Sequence, residues 1–146
     1  MFAEFELAIH EAAEQGEPLT GAVLSKMYAE LLKRYHGHEE KVVLIDDAYS
    51  MEWAYIPHFY YDFYVFQYAT SISGAAWFAE RFLKGDIGTR DAFIDTLKAG
   101  GSDDAYLILK RAGLDMASPE PYQALVQRME GVMDRIDLIL DKQSSK

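Results

Sequence analysis

Tyr60, Tyr61, Tyr64 and Tyr68 follow closely behind a Pro57-His58 pair. If residues 59–72 are helical, at about 100° per residue, these four phenols fall within about a third of a turn of one another. A face built only for packing can use Leu and Phe, whereas every buried phenol needs a hydrogen-bond partner, and clustering makes that demand harder to meet. Tyrosines aimed into a wet pocket meet no such difficulty. Pro57 puts His58 at or just before the helix start, where its imidazole can donate a hydrogen bond to a carbonyl oxygen or a developing oxyanion. The same spacing also fits an aromatic packing stripe, and sequence alone leaves both readings standing.

The other candidates carry less chemistry. His10-Glu11-Ala12-Ala13-Glu14 begins like a zinc-binding HExxH helix, but Glu14 stands where the second histidine is needed, and an acidic helix surface explains the run. His36-Gly37-His38-Glu39-Glu40 offers two imidazoles and two carboxylates at a helix C-terminus, where cationic side chains are favoured by the dipole, so it reads as a solvated end. Asp46, Asp47, Asp62, Asp103 and Asp104 have neither calcium-loop nor carboxylate-dyad spacing. Ser25, Ser50 and Ser73 lack a nucleophile elbow, and Gly100-Gly101-Ser102 lacks the lysine and preceding strand of a phosphate loop.

The elements that must position these residues read as helices throughout. Phe2, Phe5, Ile9 and Ala12 predict an amphipathic helix over residues 2–15 with its acids on the other side, ended by Gly16 and Pro18. Thr20 caps a second helix that closes at Gly37. Residues 41–52, with the short run Val42-Val43-Leu44-Ile45, read as a loop with at most one extended piece. A long helix is predicted from just after Pro57 to Lys84, stopped by Gly85, and Gly74-Ala75-Ala76 in it would let another helix approach closely. Thr89 caps a helix ending near Lys98, Asp103 or Asp104 opens a short one that stops at Gly113, and Ser118-Pro119 begins the last. That last helix repeats apolar residues from Tyr122 to Leu140, and its end should fray from Gln143 onward. The expectation is all-α: about six helices in a single domain, 1–146, with no linker or repeat.

Composition bounds the partners. The 146 residues carry 14 Lys+Arg against 24 Asp+Glu, a net charge of −10 that repels nucleic acid and anionic membrane surfaces. There is no cysteine, which removes disulfides and thiolate chemistry and permits a reducing compartment, so the cytoplasm is the default location. The opening Met1-Phe2-Ala3-Glu4-Phe5-Glu6 has acids where an export signal carries bases. Polar residues interrupt the 57–84 segment, which argues against a membrane span. Twenty of the 146 residues are Phe, Trp or Tyr, and nine fall in the sixteen positions from Trp53 to Tyr68.

The run Trp53…Ile56-Pro57-His58-Phe59-Tyr60…Phe63-Tyr64-Val65-Phe66-Gln67-Tyr68-Ala69-Thr70, followed by Ala75-Ala76, resembles the C-terminal region of oligoendopeptidase F, of the thimet oligopeptidase superfamily of zinc metallopeptidases. Met1-Phe2-Ala3-Glu4-Phe5-Glu6, His10-Glu11, Gly85, Leu97-Lys98-Ala99-Gly100-Gly101-Ser102 and Gly113-Leu114-Asp115-Met116 resemble the same family in the same order, so nearly the whole chain is covered. The resemblance implies a C-terminal subdomain of a large all-helical enzyme that cleaves short peptides in a channel. In that family zinc is held by the two histidines of HExxH and a later glutamate, while a histidine and tyrosines from the C-terminal region bind substrate and stabilise the tetrahedral intermediate. By motif position, the resemblance assigns His58 and Tyr64 as the catalytic pair, Tyr60 or Tyr61 as a second phenol, and Tyr60, Tyr61 and Tyr68 as substrate-binding. The zinc helices lie upstream of this segment in the family, so this chain is expected to bind no metal and to be inactive without the missing N-terminal catalytic half. The alternatives are a stand-alone helical peptide- or ligand-binding module, or a domain that self-associates into a homo-oligomer through an exposed apolar face.

Overall fold

The computed structural model describes residues 1–144, and they form six α-helices and two 3-10 helices with no β-strand among them. The all-α expectation holds. The helices are α1 (Phe2–Glu14), α2 (Gly21–Tyr35), α3 (Phe66–Leu83), α4 (Ile87–Ala99), α5 (Ala105–Arg111) and α6 (Glu120–Ser144). The 3-10 helices, Asp47–Tyr55 and Pro57–Tyr60, lie between α2 and α3. The chain divides into two compact units, Met1–Gln67 and the residues from Tyr68 onward.

The first unit is built around Phe5, Tyr28 and Leu32. Thr20 caps α2 as expected, its hydroxyl accepting from the Val23 amide at 3.3 Å. Phe5 meets the Tyr28 ring edge-on at 5.2 Å, and Phe59 packs against Phe5 at 5.2 Å and Phe2 at 6.0 Å. The Tyr28 hydroxyl donates to Glu52 at 2.6 Å and the Trp53 indole to Ser25 at 3.1 Å, so two side chains of the first 3-10 helix are tied to α2. The expected loop, residues 41–52, is therefore helical from Asp47 onward, in a 3-10 segment that runs to Tyr55 and is capped by Asp46, which accepts from the Ala48 amide at 2.8 Å. No extended piece forms, and Val42 and Leu44 stand exposed.

The second unit is centred on Trp77, Phe78, Ala112 and Leu114. Gly74 does admit a close neighbour, though not a helix: a Cβ there would lie 3.1 Å from the Leu114 side chain in the turn after α5. The cap of α4 is Asp86 rather than Thr89. The Asp86 carboxylate accepts from both the amide and the hydroxyl of Thr89, and these bonds hold it below the usual carboxylate range. Asp104 caps α5, and Gly85 and Gly113 adopt the positive φ that terminates α3 and α5. The last helix continues through Gln143 and Ser144 rather than fraying there; the remainder of that expectation falls on residues 145–146, outside the described residues. No helix is long and apolar enough to cross a membrane among those residues.

Candidate functional site

The expected helix from Pro57 to Lys84 is broken. Pro57 opens a single 3-10 turn that closes at Tyr60, and α3 begins only at Phe66. Between them Asp62 and Phe63 have φ of 43° and 55°, in the left-handed region. Each such residue costs about 1–2 kcal/mol in an L-amino acid, less for Asp than for Phe. Tertiary contacts meet that cost. The Phe63 amide donates to Glu6 Oε1 at 2.8 Å, and the Phe63 ring lies 4.3 Å from the His10 ring. A hydrogen bond to a carboxyl group contributes about 1–3 kcal/mol, the same size as the strain it opposes.

Glu6 is the residue that sequence reasoning missed. The acids of α1 were placed opposite its apolar stripe, but Glu6 is 1% exposed, lying within the stripe four residues after Phe2 and three before Ile9. Its other oxygen, Oε2, is buried with no hydrogen-bond partner among the described residues. An acid inside an apolar stripe was the available signal. His10, read as part of an acidic surface, instead packs its ring against Phe63 at a tilt of 34°.

The break also dissolves the single helical face expected for the phenols and replaces it with a tighter grouping. The His58 and Tyr64 rings stack at 5.7 Å and 20°, and Tyr61 meets both edge-on, at 6.3 Å from His58 and 6.2 Å from Tyr64. Tyr61 and Tyr64 remain 61% and 41% exposed, so this is a surface cluster rather than core. Tyr60 points its chemistry elsewhere, donating its hydroxyl to the Ala54 carbonyl at 2.9 Å. Tyr68 lies in the first turn of α3, exposed, and belongs to the second unit. An imidazole and two phenols on one wetted surface can donate hydrogen bonds to a carbonyl oxygen or an oxyanion.

The remaining histidines are structural. His36 Nδ1 sits 2.9 Å from the Leu32 carbonyl oxygen, and His38 Nδ1 accepts from the Ile45 amide at 2.9 Å, so His38 pins the connection after α2 rather than forming a merely solvated end. Among the described residues no group of three or more His, Cys, Asp or Glu side chains is placed to hold a metal ion. These residues therefore do not fit a zinc site.

Comparison with known proteins decides the lineage. The profile of Peptidase family M3 matches residues 1–128. The chain belongs to peptidase family M3. It is 44% identical over 97% of its length to the oligopeptidase PepF of Bacillus subtilis, and 38% identical over 97% to the chromosomal oligoendopeptidase F of Lactococcus lactis subsp. cremoris. A crystal structure from Chlamydophila abortus, of a protein assigned as a peptidase, superposes with a TM-score of 0.81 at 42% identity over 92% of this chain. This member of the family spans 21% and 23% of the two curated relatives and 22% of the solved chain. It corresponds to the C-terminal region of oligoendopeptidase F and is a fragment of a peptidase on the scale of those relatives.

Proposed function

We propose that this chain supplies the substrate-binding and oxyanion-stabilising side of a metallopeptidase that hydrolyses short peptides. His58 and Tyr64 donate hydrogen bonds to the oxygen of the tetrahedral intermediate. Tyr61 is the second phenol, and Tyr68, in the second unit, is proposed separately as a substrate-binding residue. Tyr60, whose hydroxyl is engaged by Ala54, supports the cluster from the side of the 3-10 helices. The observation that carries the reading is the stacked pair of a half-buried His58 and an exposed Tyr64 with Tyr61 against both, in a chain of this family. The family resemblance implies zinc and a general base, and both would belong to the other four-fifths of a relative-length peptidase, since this chain's described residues offer no metal site. A cytoplasmic location belongs to the same proposal, supported by the absence of cysteine.

A chimera tests it: this chain in place of the matching segment of the Bacillus subtilis relative, assayed with a quenched fluorescent peptide. Loss of one oxyanion donor costs about 10²–10³ in kcat, so His58→Ala should fall in that range, and Tyr64→Phe toward its lower end. Both variants turning over at the parental rate would exclude the assignment. The 146-residue chain by itself should cleave nothing, and chelator-resistant turnover by it would overturn the fragment reading.

One observation favours a second reading, self-association. Along α6, Met129, Val132, Met133, Ile136, Ile139 and Leu140 are all about half exposed or more, an apolar stripe that a second copy could cover.

A further inference from the structure

We infer that Glu6 is a positioning residue for the His58–Tyr61–Tyr64 cluster. Its buried carboxyl holds the left-handed bend at Asp62–Phe63 that turns Tyr64 back against His58. The inference rests on the reading of that cluster as the peptide-facing site and adds the device that shapes it.

The bend lies on the short stretch of chain that joins the two rings. His58 lies on the 3-10 turn Pro57–Tyr60 and Tyr64 just ahead of α3, so the irregular path from the end of that turn to Tyr64 is residues 61–63. Two of those three have positive φ without being glycine, a conformation that persists only where surroundings impose it. The imposed contacts come from one helix face: Glu6 takes the Phe63 amide and His10, one turn later, takes the Phe63 ring. Glu6 is 1% exposed, so its bond at Oε1 is shielded from bulk water. A continuous helix through 61–65 is the alternative that periodicity favours, and it would withdraw the Phe63 amide from Glu6 into the helix ladder. The buried carboxyl thus selects the bent arrangement over the helical one.

The test reads geometry directly in the 146-residue chain by NMR. In the unsubstituted chain the Phe63 amide should exchange with solvent more slowly than that of Asp62, and a ring-to-ring Overhauser contact should join His58 to Tyr64. Glu6→Leu, which fills the space without an acceptor, should abolish that contact, while Glu6→Gln, which keeps a carbonyl oxygen there, should retain it. Adding Asp62→Gly to Glu6→Leu should restore it in part, because glycine removes the left-handed penalty at one of the two bend residues. A generic loss of stability would lower the melting temperature and leave the ring contact in place. The proposal is overturned by a contact that survives Glu6→Leu, by its loss in Glu6→Gln, or by a double variant no better than Glu6→Leu. Should Glu6→Leu fail to fold, a Phe63 amide exchanging as fast as that of Asp62 in the unsubstituted chain overturns it equally. Failure of the peptidase reading shows elsewhere, as chimeric peptide hydrolysis indifferent to His58→Ala.

Discussion

Residues 57–65 and helix α6 are opposite cases. The first has the density of aromatics expected of a long buried helix, yet its backbone is irregular and its shape is imposed by Phe2, Phe5, Glu6 and His10 of α1. The second has a regular apolar period and forms 25 residues of helix, yet only Pro121 of it is buried. Periodicity decides whether a segment is helical when its neighbours make no stronger demand; it does not say what covers the apolar side. In 57–65 the neighbours win, because a core ring contact and a buried hydrogen bond are each worth more than the few tenths of a kcal/mol per residue that separate aromatic helix propensities from better ones.

The sharpest way to break the contrast is Phe5→Ala. Phe5 is fully buried and touches both Tyr28 and Phe59, so the truncation should cost about 3–5 kcal/mol, read as a lower urea midpoint. It should also release residues 57–65, seen as loss of the His58–Tyr64 ring contact. A cost near zero would mean that 57–65 holds its own shape.

Tyr28→Phe is the next largest, because it removes the hydroxyl that reaches Glu52 and leaves the ring. It should cost about 1–2 kcal/mol at neutral pH. Burial first, and the Glu52 hydrogen bond second, push the Tyr28 phenol well above the ordinary tyrosine range. The folded state therefore favours the neutral phenol. Its contribution is complete below the unfolded value of about 10 and is lost as pH rises toward the folded one. Circular dichroism followed upward from about pH 10 should show the parent losing stability that Tyr28→Phe, with nothing to ionise there, retains. Parallel alkaline profiles would remove Tyr28 from the account.

The helices were legible where their determinants are local. Thr20, Asp104, Gly85 and Gly113 mark ends within a turn or two of the residues they serve. Asp86 and Thr89 can both cap by residue type, and only the geometry shows that Asp86 is the one that accepts. The grouping was legible by residue type: His58, Tyr61 and Tyr64, candidates for one site, do come together. The way they do was not, since the bond that bends the chain joins residues 57 apart in sequence. Residues 47–52 departed from the loop expectation for the same reason. Their 3-10 turns have no apolar period, and what secures them is the reach of Glu52 and Trp53 to α2.

The smallest expected effect on folding belongs to α6, and it is the one that tests the other half of the comparison. Met133 and Ile136 are 47% and 49% exposed, three residues apart on one face, so replacing both by Lys removes apolar surface that the folded chain scarcely uses. The unfolding free energy should change by no more than about 0.5 kcal/mol. If a second copy covers this stripe, light scattering should find the parent chain associated at high concentration, and the double variant monomeric, because two buried ammonium groups are costly to desolvate. A parent that stays monomeric would leave the stripe with no role between copies. A double variant that loses several kcal/mol would instead mean that this face is packed within its own chain, and α6 would then be held by tertiary contacts as residues 57–65 are.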